Sequence, residues 1–241
     1  MVNSKWIREA LVFYDGDNQA RWLDALGNNV VKYELETGTP VDDTTGDPTR
    51  FVTTVVEAGA GDSLTINAEA AGEKILITDA ANEFDGVCLT LRGEAFKVTA
   101  GTPFYFGIKI KPSRTDADFL IGVGETLTAY LAAAAHTVIA AALEGAFFGV
   151  NTTAAVKALV YKDNALSSTA DAATALTVTA AHIYEILWDG EYLNFYYDGT
   201  LVTQTKTTLP DGDLTPFLHV RNGSANVTTF TVSWMRCIQI N

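Results

Sequence analysis

Apolar and polar residues alternate along most of the chain after residue 50, in short runs separated by Gly, Asp, Asn and Pro. A period of two places every second side chain on the same face, which is the pattern of a half-buried β-strand. Short strands at this spacing, with little helical periodicity, predict an all-β protein built as an antiparallel β-sandwich. The predicted strands are 51–57, 63–68, 74–78, 86–92, 95–99, 104–111, 118–124, 146–151, 156–162, 175–179, 215–221 and 229–240.

Between the strands at 175–179 and 215–221, two Asp-Gly pairs at 189–190 and 198–199 predict two consecutive hairpins. A type I′ turn requires positive φ at both central residues, and Asp-Gly adopts that conformation at little cost. With each pair as a two-residue loop, Tyr184 faces Phe195 in a row of core residues, and the opposite face is polar in the middle. This segment is therefore predicted to be a three-stranded meander.

The first 50 residues are predicted to be an irregular N-terminal arm, because Gly and Pro interrupt residues 37–49 and the preceding segment is too short for a core of its own. The sandwich then occupies residues 51–241. Weak patterns at 7–13 and 19–26 predict irregular helical turns. The arm also contains aromatic residues that pack on the sandwich or contact a partner: Trp6, Phe13, Tyr14 and Trp22.

The segment 129–143 is mostly alanine and has few charges. It is shorter than the roughly 20 strongly apolar residues that a membrane span needs, so we expect one short Ala-rich helix at 130–143 and no membrane contact. Cys88 and Cys237 lie in strand-like runs and are predicted to be reduced core thiols.

The formal net charge is −13 and the pI is about 4.5. A nucleic-acid backbone is repelled by such a surface, because its binding depends on Lys and Arg. The first residues lack the apolar core of a signal peptide, so synthesis in the cytoplasm is expected.

Catalytic patterns are weak. The segment 61–64, Gly-Asp-Ser-Leu, matches one hydrolase motif, but that family needs an Asp three residues before a His, and none of the three histidines has one. Alternate acids at 34 and 36, 83 and 85, and 116 and 118 lie at loops rather than along one strand face. The sequence therefore predicts that the chain is not an enzyme and has no catalytic residue.

Metal and cofactor motifs are weak as well. Residues 15–18 and 211–213 place acids close together, but neither segment continues into a calcium loop, and turn chemistry accounts for both. The sequence predicts no metal and no cofactor.

The meander resembles the penultimate strands of concanavalin A-like and laminin G-like jelly rolls, where a strand and a tight turn precede an aromatic pair and an Asp-Gly. In this sequence the tight turn is at 188–190, the aromatic strand is at 193–197, and the Asp-Gly with the residues after it is at 198–202. The order of several segments along the chain is similar to the order found in proteins of tailed bacteriophages in that superfamily. These segments are 118–122, 145–149, the meander, 209–216, 221–223 and 230–236. The resemblance covers residues 51–241 and implies a structural virion component.

The resulting hypothesis is a capsid (head) decoration protein on the outer capsid surface, contacting the major capsid protein as a homo-oligomer, with a trimer expected. The alternative is a lectin-like module that recognises host-surface glycans through an exposed aromatic row. The tyrosines available for that row are Tyr192, Tyr196 and Tyr197. Exposure of these rings distinguishes the two hypotheses, because a glycan needs an accessible aromatic groove.

Overall fold

The computed structural model describes residues 51–56, 82–91, 93–132, 135, 138, 143–150 and 155–240 in full. For the strands at 2–7, 10–15, 22–26, 30–35, 64–68 and 74–78 it describes the backbone alone. Every regular element in this part of the chain is a β-strand, which confirms the all-β prediction. No helix among the described residues is long and apolar enough to cross a membrane.

The strands are numbered in chain order. They are β1 (Val2–Ile7), β2 (Ala10–Asp15), β3 (Trp22–Leu26), β4 (Val30–Leu35), β5 (Phe51–Val56), β6 (Leu64–Ala68), β7 (Lys74–Thr78), β8 (Gly86–Leu91), β9 (Phe96–Lys97), β10 (Phe104–Pro112), β11 (Asp118–Gly124), β12 (Gly145–Val150), β13 (Val156–Lys162), β14 (Ala165–Ala173), β15 (His182–Trp188), β16 (Leu193–Tyr197), β17 (Thr200–Thr205), β18 (Asp213–Arg221) and β19 (Thr229–Ile240).

The strands form two large antiparallel sheets and one small one. The front sheet has the order β14-β13-β12-β11-β18-β8-β5, with β9 also paired to β18. The back sheet has the order β17-β16-β15-β10-β19-β7-β6, with β4 also paired to β19. Strands β1, β2 and β3 form the small sheet. The two large sheets are the layers of the predicted sandwich.

The main core lies between the two large sheets. Alternate residues of β11, such as Phe119 and Ile121, point into it from the front sheet, and Phe106 and Ile108 of β10 point into it from the back sheet. The Tyr184 ring contacts Phe119 edge-on, at 5.6 Å between ring centroids. Each fully buried side chain of this size contributes roughly 1.5–3 kcal/mol to folding, so this layer provides most of the stability.

The meander forms as predicted in its strands and faces, but its register differs. The turn at 198–199 has two residues, as expected, with φ of 47° at Asp198 and 78° at Gly199. The first loop has four residues, because Asp189 Oδ1 accepts the Glu191 and Tyr192 backbone N–H groups. Tyr184 therefore faces Tyr197 instead of Phe195. The two-residue shift leaves the side chains of β15 and β16 on their predicted faces, whereas a bulge in β17 pairs Phe195 with Thr203 instead of Val202.

Three other local predictions were wrong. The strand predicted at 175–179 does not form, and these residues belong to the irregular connection from β14 to β15. Residues expected to form irregular helical turns lie in β2 and β3, and β4 pairs with β19 along Met235–Ile240. The described residues of the Ala-rich segment are not helical, and Leu131 and Val138 form an isolated antiparallel bridge. The division of the chain at residue 50 stays a prediction, although residues 30–35 belong to the back sheet.

Both cysteines are free and buried, as the sequence predicted. Burial raises the pKa of each thiol well above its usual value. They therefore act as small apolar groups rather than nucleophiles.

Candidate functional site

The outer face of the front sheet is apolar and covered. The side chains on this face include Cys88, Leu120, Phe147, Leu159 and Phe217, and all are buried. They are covered by the strap, defined as residues 127–132 with Ala135 and Val138. The central strands of the front sheet are consequently buried on both faces, and β11 and β12 are apolar at nearly every position.

Aromatic stacking fixes the first part of the strap. The Tyr130 ring lies flat on Phe217, with 3.6 Å between ring centroids and 10° between the planes. Its hydroxyl donates to the Glu125 carbonyl at 2.6 Å. Tyr130 is therefore held both by ring contact and by a hydrogen bond.

A buried histidine holds the strap backbone. His219 Nδ1 accepts the backbone N–H groups of Tyr130 at 3.0 Å and of Leu131 at 3.3 Å. Accepting at Nδ1 requires the neutral ring. Burial, with a smaller effect from the Arg221 charge, lowers the pKa of His219 to about 3. The strap thus depends on an uncharged imidazole.

A buried ion pair holds the next part. Arg221 Nε donates to Asp118 Oδ2 at 3.1 Å, and both side chains are fully buried. The other guanidinium nitrogens donate to the carbonyls of Ala132 and Ala135, each at 2.6 Å. The guanidinium also lies 5.0 Å from the Phe84 ring centroid. Asp118 therefore positions Arg221, and Arg221 positions the strap.

A cavity of about 270 Å³ lies beside the strap on this outer face. Its lining is mainly apolar, with a Lys and a Tyr. The lining residues are Leu120, Leu131, Val138, Gly149, Val150, Lys157, Leu159 and Tyr161.

A second cleft, of about 180 Å³, opens at one end of the front sheet. We call it the acidic cleft, lined by Glu125, Leu143, Glu144, Asp163 and Asn164. These residues come together because β11 ends and β12 begins at the same end of the antiparallel sheet, and the turn from β13 to β14 lies there too.

Glu144 is the most buried carboxylate of the acidic cleft. It accepts the backbone N–H groups of Asp211 at 2.9 Å and of Gly212 at 3.0 Å. Carboxylate oxygens of Glu144, Asp163 and Asp211 all lie within 4.8 Å of one another. Oxygen ligands at this spacing could hold a hard cation such as Ca²⁺, although Lys162 Nζ already contacts Asp211 Oδ2 at 2.5 Å.

The charges of the acidic cleft affect one another. Burial raises the pKa of Glu125, and the nearby carboxylates of Glu144, Glu94 and Asp163 raise it further. Lys162 has the opposite effect on Asp211, lowering its pKa through a hydrogen bond and its charge. The negative charge at Glu125 is thus less compensated than the negative charge at Asp211.

An aromatic ring lies next to the acidic cleft. Tyr161 is on the outer face of β13, two positions before Asp163, and its ring stacks on Phe147 at 5.5 Å between centroids. The side chain is half-buried, and burial raises its pKa. The ring lines the 270 Å³ cavity, and it belongs to the strand from which the cleft residues Asp163 and Asn164 follow.

The sequence-predicted arm residues Trp6, Phe13, Tyr14 and Trp22 fall in β1, β2 and β3, and their side chains lie outside the described residues. Their predicted contacts are therefore untested.

The three tyrosines expected to face a glycan do not form one exposed row. Tyr196 is 6% exposed on the outer face of the back sheet, whereas Tyr197 packs against the core on the opposite face. Tyr192 lies before β16, with Lys206 Nζ 4.9 Å from its ring centroid. Whether any of them contacts a glycan stays untested.

The alternate acids at 116 and 118 have structural contacts. Asp116 accepts from Arg114 and Ser224, and the Arg114 hydrogen bond lowers the pKa of Asp116 to about 2. Asp118 belongs to the buried ion pair.

The protein is similar to known proteins in its three-dimensional structure. No family model and no curated protein matches the sequence. The carbohydrate recognition domain of Emp46p, in a metal-free form, is similar over 85% of this chain and 95% of its own, with a TM-score of 0.58 and 9% identity. A β-glucanase of Bacillus licheniformis covers 85% and 96%, with a TM-score of 0.57 and 14% identity. The alginate lyase AlyC3 covers 85% and 96%, with a TM-score of 0.55 and 10% identity.

The fold is a concanavalin A-like jelly roll. This confirms the fold class predicted from the meander. The neighbours contradict the prediction that the chain is not an enzyme, because a glucanase and a lyase have this same fold. Missing sequence motifs therefore do not exclude catalysis here.

Proposed function

We propose that this protein binds a carbohydrate at the acidic cleft and the adjoining Tyr161 ring. The observation that supports the proposal best is an open cleft lined by Glu125, Asp163 and Asn164, with the partly exposed Tyr161, which lines the 270 Å³ cavity, two residues before Asp163. A sugar presents an apolar C–H face, which suits an aromatic ring, and hydroxyl groups, which suit carboxylates and amides. Similarity to carbohydrate recognition domains supports the same assignment.

The charge of the cleft favours neutral ligands over polyanionic ones. Glu125, Glu144 and Asp163 are hydrogen-bond acceptors when ionised, and sugar hydroxyls are donors. An acidic polysaccharide would place its carboxylates against these groups, and the net charge of −13 adds to the repulsion. We therefore expect neutral oligosaccharides to bind more tightly than uronic-acid oligosaccharides of equal length.

The test is calorimetric titration with neutral β-glucan oligosaccharides, comparing wild type with Tyr161→Ala and Tyr192→Ala. Loss of an aromatic contact worth about 0.5–1.5 kcal/mol raises the Kd roughly 2- to 12-fold. We expect this for Tyr161→Ala, and an unchanged Kd for Tyr192→Ala, which removes a tyrosine of similar exposure from the meander. An affinity lost only in Tyr192→Ala would place the site in the meander, and no binding of any glycan would refute the proposal.

A glycoside hydrolase is the second candidate, and the position of Glu125 beside Glu144 in the same cleft, where burial and neighbouring carboxylates raise the pKa of Glu125, favours it. A general acid must keep its proton at working pH, beside a second carboxylate that is ionised. If Glu125 is that acid, Glu125→Gln abolishes release of reducing sugar from a β-glucan while glycan binding persists. Equal release by wild type and variant would exclude this role.

The capsid-decoration hypothesis rests on the sequence resemblance alone, as do its major capsid protein partner, trimeric state and outer-capsid location. Incubation of the purified protein with capsids that lack it, followed by imaging, tests the decoration role together with this partner, this oligomeric state and this location. Symmetric, saturable occupancy of the shell would support decoration, and binding to host cells alone would support glycan recognition.

A further inference from the structure

A separate group of side chains lies where the connection from β14 to β15 meets the turn from β16 to β17. Thr177 is in the connection from β14 to β15, His182 is the first residue of β15, and Asp198 begins the turn from β16 to β17. Because β15 and β16 are antiparallel, the start of one lies beside the end of the other. Residues distant in sequence thereby come into contact.

The three side chains form a continuous hydrogen-bonded series. His182 Nδ1 is 2.6 Å from Asp198 Oδ2, and His182 Nε2 is 2.5 Å from Thr177 Oγ1. An ionised carboxylate only accepts, so in the neutral imidazole Nδ1 bears the hydrogen and Nε2 presents its lone pair to the hydroxyl. A hydroxyl, a base and a group that orients the base form the arrangement that activates an oxygen nucleophile.

The surrounding backbone holds this arrangement in place. Asp198 Oδ1 accepts the Ile183 N–H at 2.8 Å, and the Asp198 N–H donates to the Ile183 carbonyl at 2.9 Å. The Tyr197 ring stacks on the imidazole, with 5.1 Å between centroids and 19° between planes. The imidazole side chain is 16% exposed, whereas Thr177 is exposed. The base is thus shielded and the hydroxyl is accessible to solvent.

We propose that Thr177, His182 and Asp198 form an acyl-transfer site that accepts small carboxylic esters. Thr177 Oγ1 attacks the ester carbonyl carbon while His182 Nε2 takes the hydroxyl proton. Collapse of the tetrahedral intermediate breaks the bond to the leaving oxygen, which receives that proton, and leaves an acyl-threonine. Water then attacks the acyl carbon while His182 Nε2 accepts its proton, and collapse of the second intermediate passes that proton to Thr177 Oγ1, releasing the carboxylic acid and restoring the threonine hydroxyl. Asp198 positions the imidazole throughout.

This site is independent of the proposed carbohydrate site. The acidic cleft adjoins the start of β14, and Thr177 follows the end of that strand, so the nine residues of β14 separate the two. A result at one site therefore leaves the other unaffected.

The test uses p-nitrophenyl acetate with the full chain. We expect wild type to release p-nitrophenol roughly 100-fold faster than Thr177→Ala, the scale of general-base assistance, and mass spectrometry to find an acetyl group on Thr177. Thr177→Ser should retain activity, because the hydroxyl remains. Thr179→Ala, in the same connection, should match wild type.

Asp198→Asn separates positioning from a structural role. The amide oxygen can still accept the Ile183 N–H, but the side chain no longer fixes the imidazole tautomer, so acetylation should slow at least tenfold with an unchanged Tm. Equal p-nitrophenol release by wild type and Thr177→Ala, or acetyl groups on lysines alone, would overturn the proposal. So would a Thr177→Ala variant that loses stability while wild type shows no acyl transfer.

Discussion

At the scale of single residues, the neutral ring of His219 makes the stability of the protein depend on pH. The folded protein keeps this imidazole uncharged to about pH 3, whereas the unfolded chain protonates it near 6.5. The unfolded state therefore binds more protons as the pH falls, and stability is lost between these two values. At neutral pH the ring is uncharged, so its burial requires no desolvation of a charge. It also accepts hydrogen bonds from two backbone N–H groups of the strap.

We predict that acid weakens the wild type more than His219→Gln, whose side-chain oxygen can accept an N–H but does not titrate. The wild type should lose on the order of 4 kcal/mol more of its free energy of unfolding between pH 6.5 and 3. Urea unfolding across this pH range measures the difference. Parallel pH profiles for the two proteins would mean that His219 does not control acid stability.

At the scale of elements, the buried pair of Asp118 and Arg221 connects β11, β18 and the strap. Taking two charges out of water is costly, and their attraction repays that cost only when the remaining groups are also satisfied. Here the guanidinium reaches two strap carbonyls in addition to Asp118. The strap and the ion pair therefore stabilise each other.

We predict that Arg221→Met destabilises the protein by about 3–5 kcal/mol, because it leaves Asp118 buried without its cation. The double variant Asp118→Leu with Arg221→Met should recover part of this loss, since no charge remains buried. Urea unfolding of the wild type and both variants gives the comparison. A double variant no more stable than Arg221→Met alone would contradict this explanation.

Most strands could be predicted from the sequence because their apolar side chains alternate, and the exceptions have physical causes. β14 was missed, since it is an edge strand of small and polar residues with no buried stripe. The strap was expected to be helical because alanine favours helices, but bonds to His219 and Arg221 fix another conformation. The meander shift comes from one side chain, Asp189, which enlarges its loop.

Neither candidate site could be found from sequence spacing. Glu125, Glu144 and Asp163 adjoin only because the β11–β12 connection begins and ends at the end of the front sheet where the β13–β14 turn lies. Likewise, the search for a His-based nucleophile tested for an Asp three residues before the His, whereas His182 bonds to Asp198, sixteen residues after it. In both cases the pairing of strands creates the proximity.

At the scale of the whole molecule, residues 30–35 of the predicted arm form β4, which belongs to the back sheet. β4 occupies one side of β19 along Met235–Ile240, while β7 occupies the same side along Thr229–Val232. A test of the predicted arm contacts must therefore keep β4. Deletion of residues 1–29 removes Trp6, Phe13, Tyr14 and Trp22 and retains that strand.

We predict that a chain lacking residues 1–40 unfolds at a Tm roughly 5–10 °C below that of a chain lacking residues 1–29, because one side of β19 loses its backbone partner. Differential scanning calorimetry measures this difference. The chain lacking residues 1–29 is then the variant to use in a capsid-binding assay. If it occupies capsids as fully as the whole chain does, the four aromatic residues are dispensable for capsid binding. Equal Tm values for the two truncated chains would show that β4 contributes little.

The position of β19 also has a consequence for synthesis. Its partners are far away in sequence, since Leu35 pairs with Met235 and Phe104 pairs with Gln239. The ribosome must therefore extrude residues 229–240 before β4, β7 and β10 gain their shared neighbour. Until then, the nascent chain exposes unpaired strand edges, so closure of the back sheet is expected to be late and slow.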